Sequence, residues 1–454
     1  MLFSSIEFIF LFLPFSLALY FFTSKGWRNL TLLLTSLFFY GWGEPIYLFL
    51  MTATIAVDWS IGLGIRHHPK RAKFLLVLAV ASNLAILAIF KYLSPMLSLF
   101  GIENVEIPLP AGISFYTFQA LSYVVDVYRG EAAQKSPIDF GAYITMFPQL
   151  VAGPIVRYES IAAQLNVREH SAERTANGIE RFVAGLGKKL IFANVAGEMW
   201  SYFSSLPRED ISTLGAWLGI LFFAFQIYFD FSGYSDMAIG LGQIFGFDFP
   251  ENFNYPYTAK SARDFWRRWH ISLSEWFREY LYIPLGGNRN GTLRTLLNML
   301  AVWICTGLWH GASLNFVAWG LYYFLILSIE RLFLSRLLDK LPNILSRAYA
   351  IICILVGWVF FASPGVNDSL EYIGKMFSFS APHGFEIYHL VRNIPLLLLL
   401  ALGSTPIPKQ AVKVLLKRQR IMRPVISVCG ILLFMLCVAD LVGSSYNPFL
   451  YFRF

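Results

Sequence analysis

Apolar segments long enough to cross a lipid bilayer recur along the whole chain, and this constrains the fold more than any other feature. A membrane-spanning helix needs roughly 20 predominantly apolar residues. Because lipid cannot satisfy an open backbone, such segments are expected to be helical. We therefore predict an all-α, polytopic integral membrane protein with about 11 to 12 transmembrane helices. The segments that support this prediction are 6–23, 29–43, 46–65, 74–93, 111–128, 178–199, 214–240, 294–310, 312–332, 346–362, 389–403 and 424–442.

The composition agrees with a membrane environment. Apolar residues make up 56% of the 454 residues and charged residues only 14%, against about 25% charged residues in ordinary globular proteins. A soluble protein of this length could not bury so much apolar surface. Since no Gly/Ser linker, low-complexity tract or clear repeat divides the chain, we predict one membrane domain over 1–454.

Basic residues in the short loops predict the orientation. Lys25 and Arg28 follow the first apolar segment, and the basic stretch 66–73 follows the third. Because cytoplasmic loops are enriched in Lys and Arg, this pattern predicts that both termini lie outside. It also accounts for the excess of 36 Lys and Arg over 28 Asp and Glu without a nucleic-acid partner. We read the first apolar segment as a retained span, because no basic stretch precedes it. The alternate loops carry Glu44, Glu103 and Glu106.

Two segments do not fit a simple span. Segment 139–155 contains two prolines and a glycine, and we expect it to be a re-entrant loop surrounded by protein. In 263–289, arginines alternate with tryptophans at roughly helical spacing, which is typical of a helix in the membrane interface. Arg267 and His270 in this segment have two readings. They belong either to an ordinary amphipathic surface helix or to a basic rim that receives an anionic donor such as a coenzyme A phosphate.

Polar side chains also occur inside apolar runs. Within 214–245, Asp230 and Asp236 accompany Gln226 and Tyr234. Ionisable groups at membrane depth are costly and are therefore functional candidates. A buried network that fixes the register of neighbouring helices explains them equally well, and the residues alone leave both readings open.

A third polar cluster surrounds His310, between two apolar runs. Trp309, Ser313 and Asn315 lie close to it in sequence. A lone histidine near a span is more often structural than catalytic, but a neutral imidazole can act as a general base. The other histidines lie in loops or at segment ends and are expected to be solvated: His67, His68, His170, His383 and His389.

Several motifs are missing from the sequence. It contains no phosphate-binding P-loop, no Gly-x-Ser-x-Gly nucleophile motif, no HExxH and no Cys/His spacing typical of zinc sites. The four cysteines all lie in apolar stretches and are expected to pack there. We therefore predict no metal site, no bound cofactor and no ATP-driven transport by this chain.

Taken together, the polar motifs resemble those of the membrane-bound O-acyltransferase (MBOAT) family, and most closely its bacterial alginate O-acetyltransferase branch. The similarity extends over most of the chain, and 229–310 is its core. The segments that carry the resemblance are 1–5, 112–118, 147–154, 229–240, 251–257, 265–270, 280–289 and 307–311.

This resemblance implies an MBOAT-type fold and transfer of an acyl group, usually acetyl from acetyl-CoA, from the cytoplasm to a secreted polysaccharide such as alginate. It implies that His310 is catalytic, with His270 as the second family histidine. Substrate-binding roles would fall to Trp309, Asn315, Tyr234, Asp236 and Arg267. It further implies a bacterial inner-membrane location in contact with membrane lipid, and a separate periplasmic SGNH-type acyltransferase as partner.

Three other functions remain open at this stage, and one of them is a scaffold that recruits a soluble partner protein. A related activity moves D-alanine onto teichoic acid. A transporter or flippase of a polar substrate would also explain broken spans and intramembrane carboxylates, although no inverted repeat is evident in the sequence.

Overall fold

The protein is helical throughout the part of the chain that the computed structural model describes, which is residues 1–102, 107–151, 153–418 and 422–443. No strand occurs within these ranges. The chain divides into two compact units. Unit 1 comprises Met1–Leu186 and Tyr234–Pro250, and unit 2 comprises Gly187–Gly233 and Glu251–Phe454. The expectation of a single domain over 1–454 stays a prediction.

The first helices of the chain belong to unit 1, where α3, α4 and α5 pack on one another and α2 packs on α6. Their bounds are α1 Leu13–Phe22, α2 Arg28–Gly43, α3 Tyr47–His67, α4 Ala72–Leu99, α5 Ile113–Arg129, α6 Pro137–Thr145, α7 Phe147–Leu150, α8 Tyr158–Asn166 and α9 Ala172–Gly187. A π-helical turn at Phe8–Phe12 precedes α1, and 3₁₀ turns at Lys25–Trp27 and Pro69–Arg71 precede α2 and α4.

The remaining helices belong to unit 2, except that α11 begins there and ends in unit 1. Their bounds are α10 Val195–Ser205, α11 Thr213–Ile244, α12 Ala262–Trp266, α13 Ile271–Phe277, α14 Gly291–His310, α15 Leu314–Ile329, α16 Ser335–Leu338, α17 Asn343–Ala362, α18 Val366–Met376, α19 Gly384–Gly403, α20 Ile407–Arg418 and α21 Met422–Gly443. The short turns are π-helical at Lys188–Asn194, Arg278–Tyr282 and Glu330–Leu334, and 3₁₀ at Arg208–Asp210 and Pro256–Thr258.

The predicted spans are confirmed as helices. Each of the twelve apolar segments coincides with helix, and eight helices in the described ranges are long and apolar enough to cross a membrane. The protein is therefore a multi-pass membrane protein. The prediction of about 11 to 12 spans also counted shorter helices, such as the apolar stretch Phe8–Phe22. The eight are Tyr47–His67, Pro69–Ser98, Thr213–Ile244, Gly291–His310, Leu314–Leu338, Asn343–Ala362, Gly384–Gly403 and Pro424–Gly443.

Helix burial follows the distribution of apolar residues. The long helix α11 carries apolar residues on every side and is buried along most of its length, as expected for a helix without a polar face. By contrast, few of the described side chains of α4 and α21 are buried, and the exposed ones are largely apolar. Lipid is the environment that accommodates such surfaces.

The segment expected to be re-entrant consists of two short buried helices, α6 and α7, interrupted at Met146. Pro148 lies in the first turn of α7, where a backbone N–H would have no partner within the helix, so a proline costs no hydrogen bond. That segment 139–155 re-enters the bilayer stays a prediction. Glu103, Glu106 and the C-terminal tail 446–454, on which part of the orientation rests, lie outside the described residues.

Candidate active site

The segment that carries His270 is anchored at its start by a buried carboxylate. Glu330, 2% exposed, accepts hydrogen bonds from the backbone N–H groups of Ala262 at 2.7 Å and Arg263 at 2.9 Å. Ser261 caps the same helix, α12, through the N–H of Asp264. Carboxylates and hydroxyls at a helix start satisfy its otherwise unpaired N–H groups. These contacts hold the start of α12 in place, and α12 leads directly to His270.

His270 occupies a left-handed backbone conformation at the break between α12 and α13, with φ of 44°. Such a conformation is uncommon for a residue with a Cβ and persists where the surroundings enforce it. Two backbone hydrogen bonds do so here. The N–H of Asn254 donates to the Arg268 carbonyl at 2.9 Å, and the N–H of Ile271 donates to the Asn252 carbonyl at 3.0 Å.

Asn252 determines which nitrogen of the His270 ring carries a proton. Its Oδ1 accepts from His270 Nδ1–H at 3.1 Å, and from the N–H and hydroxyl of Ser272 at 3.3 and 2.9 Å. Because an amide oxygen only accepts, Nδ1 must be the protonated nitrogen. The lone pair of Nε2 is then available, and this buried atom has no hydrogen-bond partner among the described residues.

The surroundings of His270 keep its ring neutral. The residue is 2% exposed, and burial lowers the pKa of His270 to about 3. The Phe231 ring packs edge-on against it, with ring centroids 4.7 Å apart. A neutral imidazole with one free lone pair can accept a proton or a hydrogen bond.

His310 is the last residue of α14 and is 7% exposed. Its ring packs edge-on against Trp309, Trp319 and Phe361, with centroid separations of 4.9, 5.2 and 5.0 Å. The carboxyl end of a helix carries partial negative charge, which favours a cation by up to about 2 kcal/mol. An imidazolium formed at His310 would be stabilised in this way.

Trp309 links the two histidines. Its ring lies 6.0 Å from His270 and 4.9 Å from His310, centroid to centroid. The structure thus brings together three of the residues that the sequence singled out, all within unit 2. These residues come from two different polar clusters, so their proximity was not evident from sequence spacing.

Two glycines allow the chain around His310 to pack closely. A Cβ at Gly311 would lie 2.5 Å from the Phe316 ring, and a Cβ on Gly320 would overlap the carbonyl oxygen of Trp303. Helices α14 and α15 therefore approach each other more closely than larger residues would permit.

Three buried hydrogen-bond donors near His310 were not identified from the sequence. The indole N–H groups of Trp266 and Trp319 and the hydroxyl of Tyr323 have no hydrogen-bond partner among the described residues. Their rings are mutual neighbours, with centroids 4.8 to 5.5 Å apart. Buried donors are nearly always paired in folded proteins, so unpaired ones require an explanation. The sequence position of two of these donors could have drawn attention to them, since Trp266 lies close to His270 and Trp319 close to His310.

Asn315 and Arg267 also belong to unit 2. Asn315 is buried, and its Nδ2 group donates to the carbonyls of Phe360 at 3.0 Å and Ser363 at 2.8 Å. Both amide hydrogens are thereby used, and only the oxygen Oδ1 remains as an acceptor. Arg267 is exposed. Substrate binding by either residue stays a prediction.

Tyr234 and Asp236 belong to unit 1. Asp236 forms an ion pair with Arg181, in which Nη2 and Nε lie 2.8 and 2.9 Å from Oδ1. Tyr234 is buried and its ring stacks on Phe3 with centroids 4.5 Å apart. Asp230 lies in unit 2 and pairs with Lys189 at 2.9 Å. These contacts favour the structural reading of the two carboxylates, and the binding roles of Tyr234 and Asp236 stay predictions.

The helix expected along 263–289 is interrupted. Two short helices, α12 and α13, flank the bend at His270, and Trp269 and Trp276 are buried rather than exposed. The left-handed conformation of His270 breaks the helical spacing on which the expectation rested. Within the described ranges, no group of three or more His, Cys, Asp or Glu side chains is arranged to hold a metal ion.

Comparison with known proteins identifies several relatives. The chain is 38% identical to the probable alginate O-acetylase AlgI of Pseudomonas putida, with both chains covered completely. It is 42% identical to the protein of the same name from Azotobacter vinelandii, over 84% of this chain and 78% of the relative. The peptidoglycan O-acetyltransferase of Helicobacter pylori is 34% identical, over 87% and 82%.

A more distant similarity covers about half of the chain. The teichoic acid D-alanyltransferase of Bacillus subtilis is 29% identical, over 49% of this chain and 59% of the relative. The profile of the MBOAT, membrane-bound O-acyltransferase family matches residues 17–363, which include both buried histidines. The chain therefore belongs to the membrane-bound O-acyltransferase family.

Proposed function

We propose that this membrane O-acyltransferase transfers an acetyl group from a cytoplasmic thioester, acetyl-CoA, for the O-acetylation of a secreted polysaccharide such as alginate. The observation that carries the proposal is that the rings of two buried histidines, His270 and His310, both lie next to the Trp309 ring. The full-length similarity to an alginate O-acetylase supports the substrate class. The D-alanyl alternative has weaker support, because that similarity covers only half of the chain.

In the proposed reaction, His310 is the general base. A ring nitrogen takes the proton of the acceptor hydroxyl as the hydroxyl oxygen attacks the thioester carbonyl carbon. Collapse of the tetrahedral intermediate breaks the C–S bond, and the thiolate leaves with the proton returned by the imidazolium. General base catalysis of this kind contributes typically 10²- to 10⁴-fold, and the carboxyl end of α14 stabilises the transient cation.

The unpaired donors supply the second part of the mechanism. Negative charge develops on the carbonyl oxygen of the thioester during attack, and preorganised N–H and O–H groups stabilise it. We assign this role to Trp319, whose ring contacts His310, together with Trp266 and Tyr323, which contact Trp319. These donors are unpaired in the absence of substrate, and this lowers the stability of the protein. A substrate oxygen that accepts their hydrogen bonds would recover that stability.

The two histidines have different proposed tasks. His270 is held as a neutral Nδ1–H tautomer by Asn252, so its Nε2 can accept a hydrogen bond from the approaching hydroxyl. It thereby acts as a second substrate-contacting residue. Trp309 positions both rings, and Asn315 offers its acceptor oxygen. We also retain Arg267, Tyr234 and Asp236 as proposed substrate-binding residues.

We further propose an inner-membrane location with both termini outside, and a periplasmic SGNH-type acyltransferase that completes transfer to the polymer. In this arrangement the basic loops face the cytoplasm, where the thioester donor is made. Thiol labelling of single cysteines introduced at Lys25 and Glu44 in intact cells tests the topology. Labelling by an impermeant reagent at position 44 and protection at position 25 are expected, and the reverse pattern contradicts the orientation.

The activity is tested by replacing His310. The chain is expressed in an alginate-secreting strain whose own O-acetylase gene is deleted, and acetyl ester on the secreted polymer is measured. His310→Ala should abolish the ester while the protein level in the membrane stays normal. His68→Ala, at an exposed position, serves as the matched control. Acetylation at the wild-type level by the His310 variant would refute the assignment.

A vesicle experiment separates transfer from transport. Membranes containing the chain receive acetyl-CoA labelled in the acetyl group, with alginate and the periplasmic partner on the opposite side. An acyltransferase leaves the label as ester on the polymer, whereas a transporter delivers labelled acetyl-CoA unchanged. Unchanged transport would overturn the proposal.

A further inference from the structure

A large cavity in unit 1 has no role in the reaction described above. Its volume is about 730 Å³. Basic side chains make up much of its lining, namely Lys25, Arg28, Arg168, His170 and Arg174. A cavity of this size accommodates a phosphorylated headgroup or a small phosphate ester.

The arginines are placed so that their charge is only partly compensated within the protein. Arg174 pairs with Asp248 at 2.7 Å, but no carboxylate of the described chain lies within 4.0 Å of Arg28 or Arg168. Instead, Arg28 lies 5.1 Å from the centroid of the Tyr20 ring, and Arg168 lies 4.5 Å from that of Phe247. Aromatic rings hold guanidinium groups without neutralising them.

Three acidic residues also line the cavity, Glu169, Glu173 and Asp248, and all three are exposed, where water screens their charge. Asp139 reaches Arg168 only through Asn29, which accepts from Arg168 Nη1 at 2.6 Å and donates to Asp139 at 2.6 Å. Four Lys and Arg side chains therefore line the cavity against three exposed carboxylates.

The pKa values of His170 and Arg168 are lowered in the cavity, where several cationic groups lie close together. Burial lowers the pKa of His170, and the charges of Arg28 and Arg168 lower it further. Burial also lowers the pKa of Arg168, to which the charge of Arg28 contributes. His170 is half-buried, and its Nε2 lies 3.3 Å from the Tyr20 hydroxyl. An anion in the cavity would relieve this repulsion.

The residues beside the cavity indicate a position at the membrane surface. Lys25 and Arg28 directly follow α1, the end of the first apolar stretch, and Phe22 and Trp27 flank Lys25 with 92% and 61% exposure. Exposed aromatic and basic residues at the end of an apolar helix are typical of the headgroup layer. A phosphate at this level can come from a lipid or from a soluble ester.

We propose that this cavity binds a phosphate ester, held by Lys25, Arg28 and Arg168. Guanidinium groups recognise phosphate through paired N–H donors, and the Nε of Arg28 is buried without a hydrogen-bond partner among the described residues. The first turn of α9 also lines the cavity, and its N-terminus favours an anion. This inference does not depend on the proposed acetyl transfer.

The test compares two ligand sources with the full-length protein. Protein reconstituted in phosphatidylcholine nanodiscs is titrated with phosphatidylglycerol, and retained lipid is counted by native mass spectrometry. In parallel, binding of labelled coenzyme A and of inorganic phosphate is measured by equilibrium dialysis. The variant is Lys25→Gln with Arg28→Gln. The control is Lys409→Gln with Lys413→Gln, which removes two exposed charges from α20.

The double variant is expected to weaken binding about fivefold for each cation removed, while the control binds as the wild type does. Loss confined to phosphatidylglycerol identifies a lipid, and loss confined to coenzyme A or phosphate identifies a soluble ester. Both outcomes support the proposal. Unchanged binding of all ligands, or equal loss in the control, overturns it. If the double variant does not fold, Lys25→Gln at its exposed position gives the same comparison with a smaller expected change.

Discussion

Replacing Asn252 by Ala should inactivate the enzyme although both histidines are retained. The substitution removes an oxygen that accepts three hydrogen bonds, from His270 Nδ1–H and from the N–H and hydroxyl of Ser272. The hydroxyl can rotate to another acceptor, but the two N–H groups stay buried and unpaired. At about 1 to 3 kcal/mol for each of these two unpaired donors, the free energy of unfolding should fall by about 2 to 6 kcal/mol.

The functional loss should exceed what this destabilisation explains, because the tautomer of His270 is no longer fixed. Acetyl ester on the secreted polymer and thermal unfolding in detergent are measured for the same preparations. Asn254→Ala, in the same loop but exposed, should change the unfolding free energy by no more than about 0.5 kcal/mol. Wild-type acetylation and an unchanged melting temperature in the Asn252 variant would refute the role assigned to this amide.

Three further outcomes follow from the site. The pKa of His270, lowered by burial to about 3, lies below its value of about 6.5 in the unfolded chain. Its contribution to stability is therefore complete above pH 6.5, and falls by up to about 1.4 kcal/mol per pH unit as the pH drops toward 3. Denaturant unfolding between pH 6 and 4 should show a shallower dependence in His270→Gln. Gly320→Ala should destabilise the protein by about 1 to 3 kcal/mol through overpacking, and an unchanged unfolding curve contradicts the close helix contact. Trp319→Phe, which retains an aromatic ring but lacks the N–H group, should lower acetyl transfer about 100-fold. Activity within about twofold of wild type would exclude that donor.

Much of the fold could be predicted because one physical requirement dominates it. Each apolar segment, from 6–23 to 424–442, coincides with helix, since lipid and the protein interior both demand internal backbone hydrogen bonds. The segment 263–289 is the exception. Its residue spacing indicates one helix, yet a bend is imposed by two backbone hydrogen bonds, from Asn254 to Arg268 and from Ile271 to Asn252. Hydrogen bonds between two irregular segments leave no periodic pattern in the sequence, so they could not be predicted from it.

The site was predictable only in part, for a related reason. His270 and His310 drew attention because polar groups are costly at membrane depth. Asn252 did not, because an asparagine in a loop has no such cost until its partner is known. Trp319 and Tyr323 escaped notice as well, since aromatic residues in an apolar helix are ordinary. Only the structure shows that their polar atoms are buried without partners.

The carboxylate Asp230 allows a sharper distinction between structural and catalytic polar groups. It pairs with Lys189 at 2.9 Å, both side chains are almost fully buried, and Lys189 also donates to Asn194 at 2.9 Å. Removing one partner of a buried pair typically costs about 3 to 5 kcal/mol, whereas apolar replacement of both is often neutral. If this pair only fixes the packing, Lys189→Met should lower thermal stability severely, and Lys189→Met with Asp230→Leu should restore both stability and acetylation. A double variant that is stable but inactive would show instead that Asp230 serves the reaction.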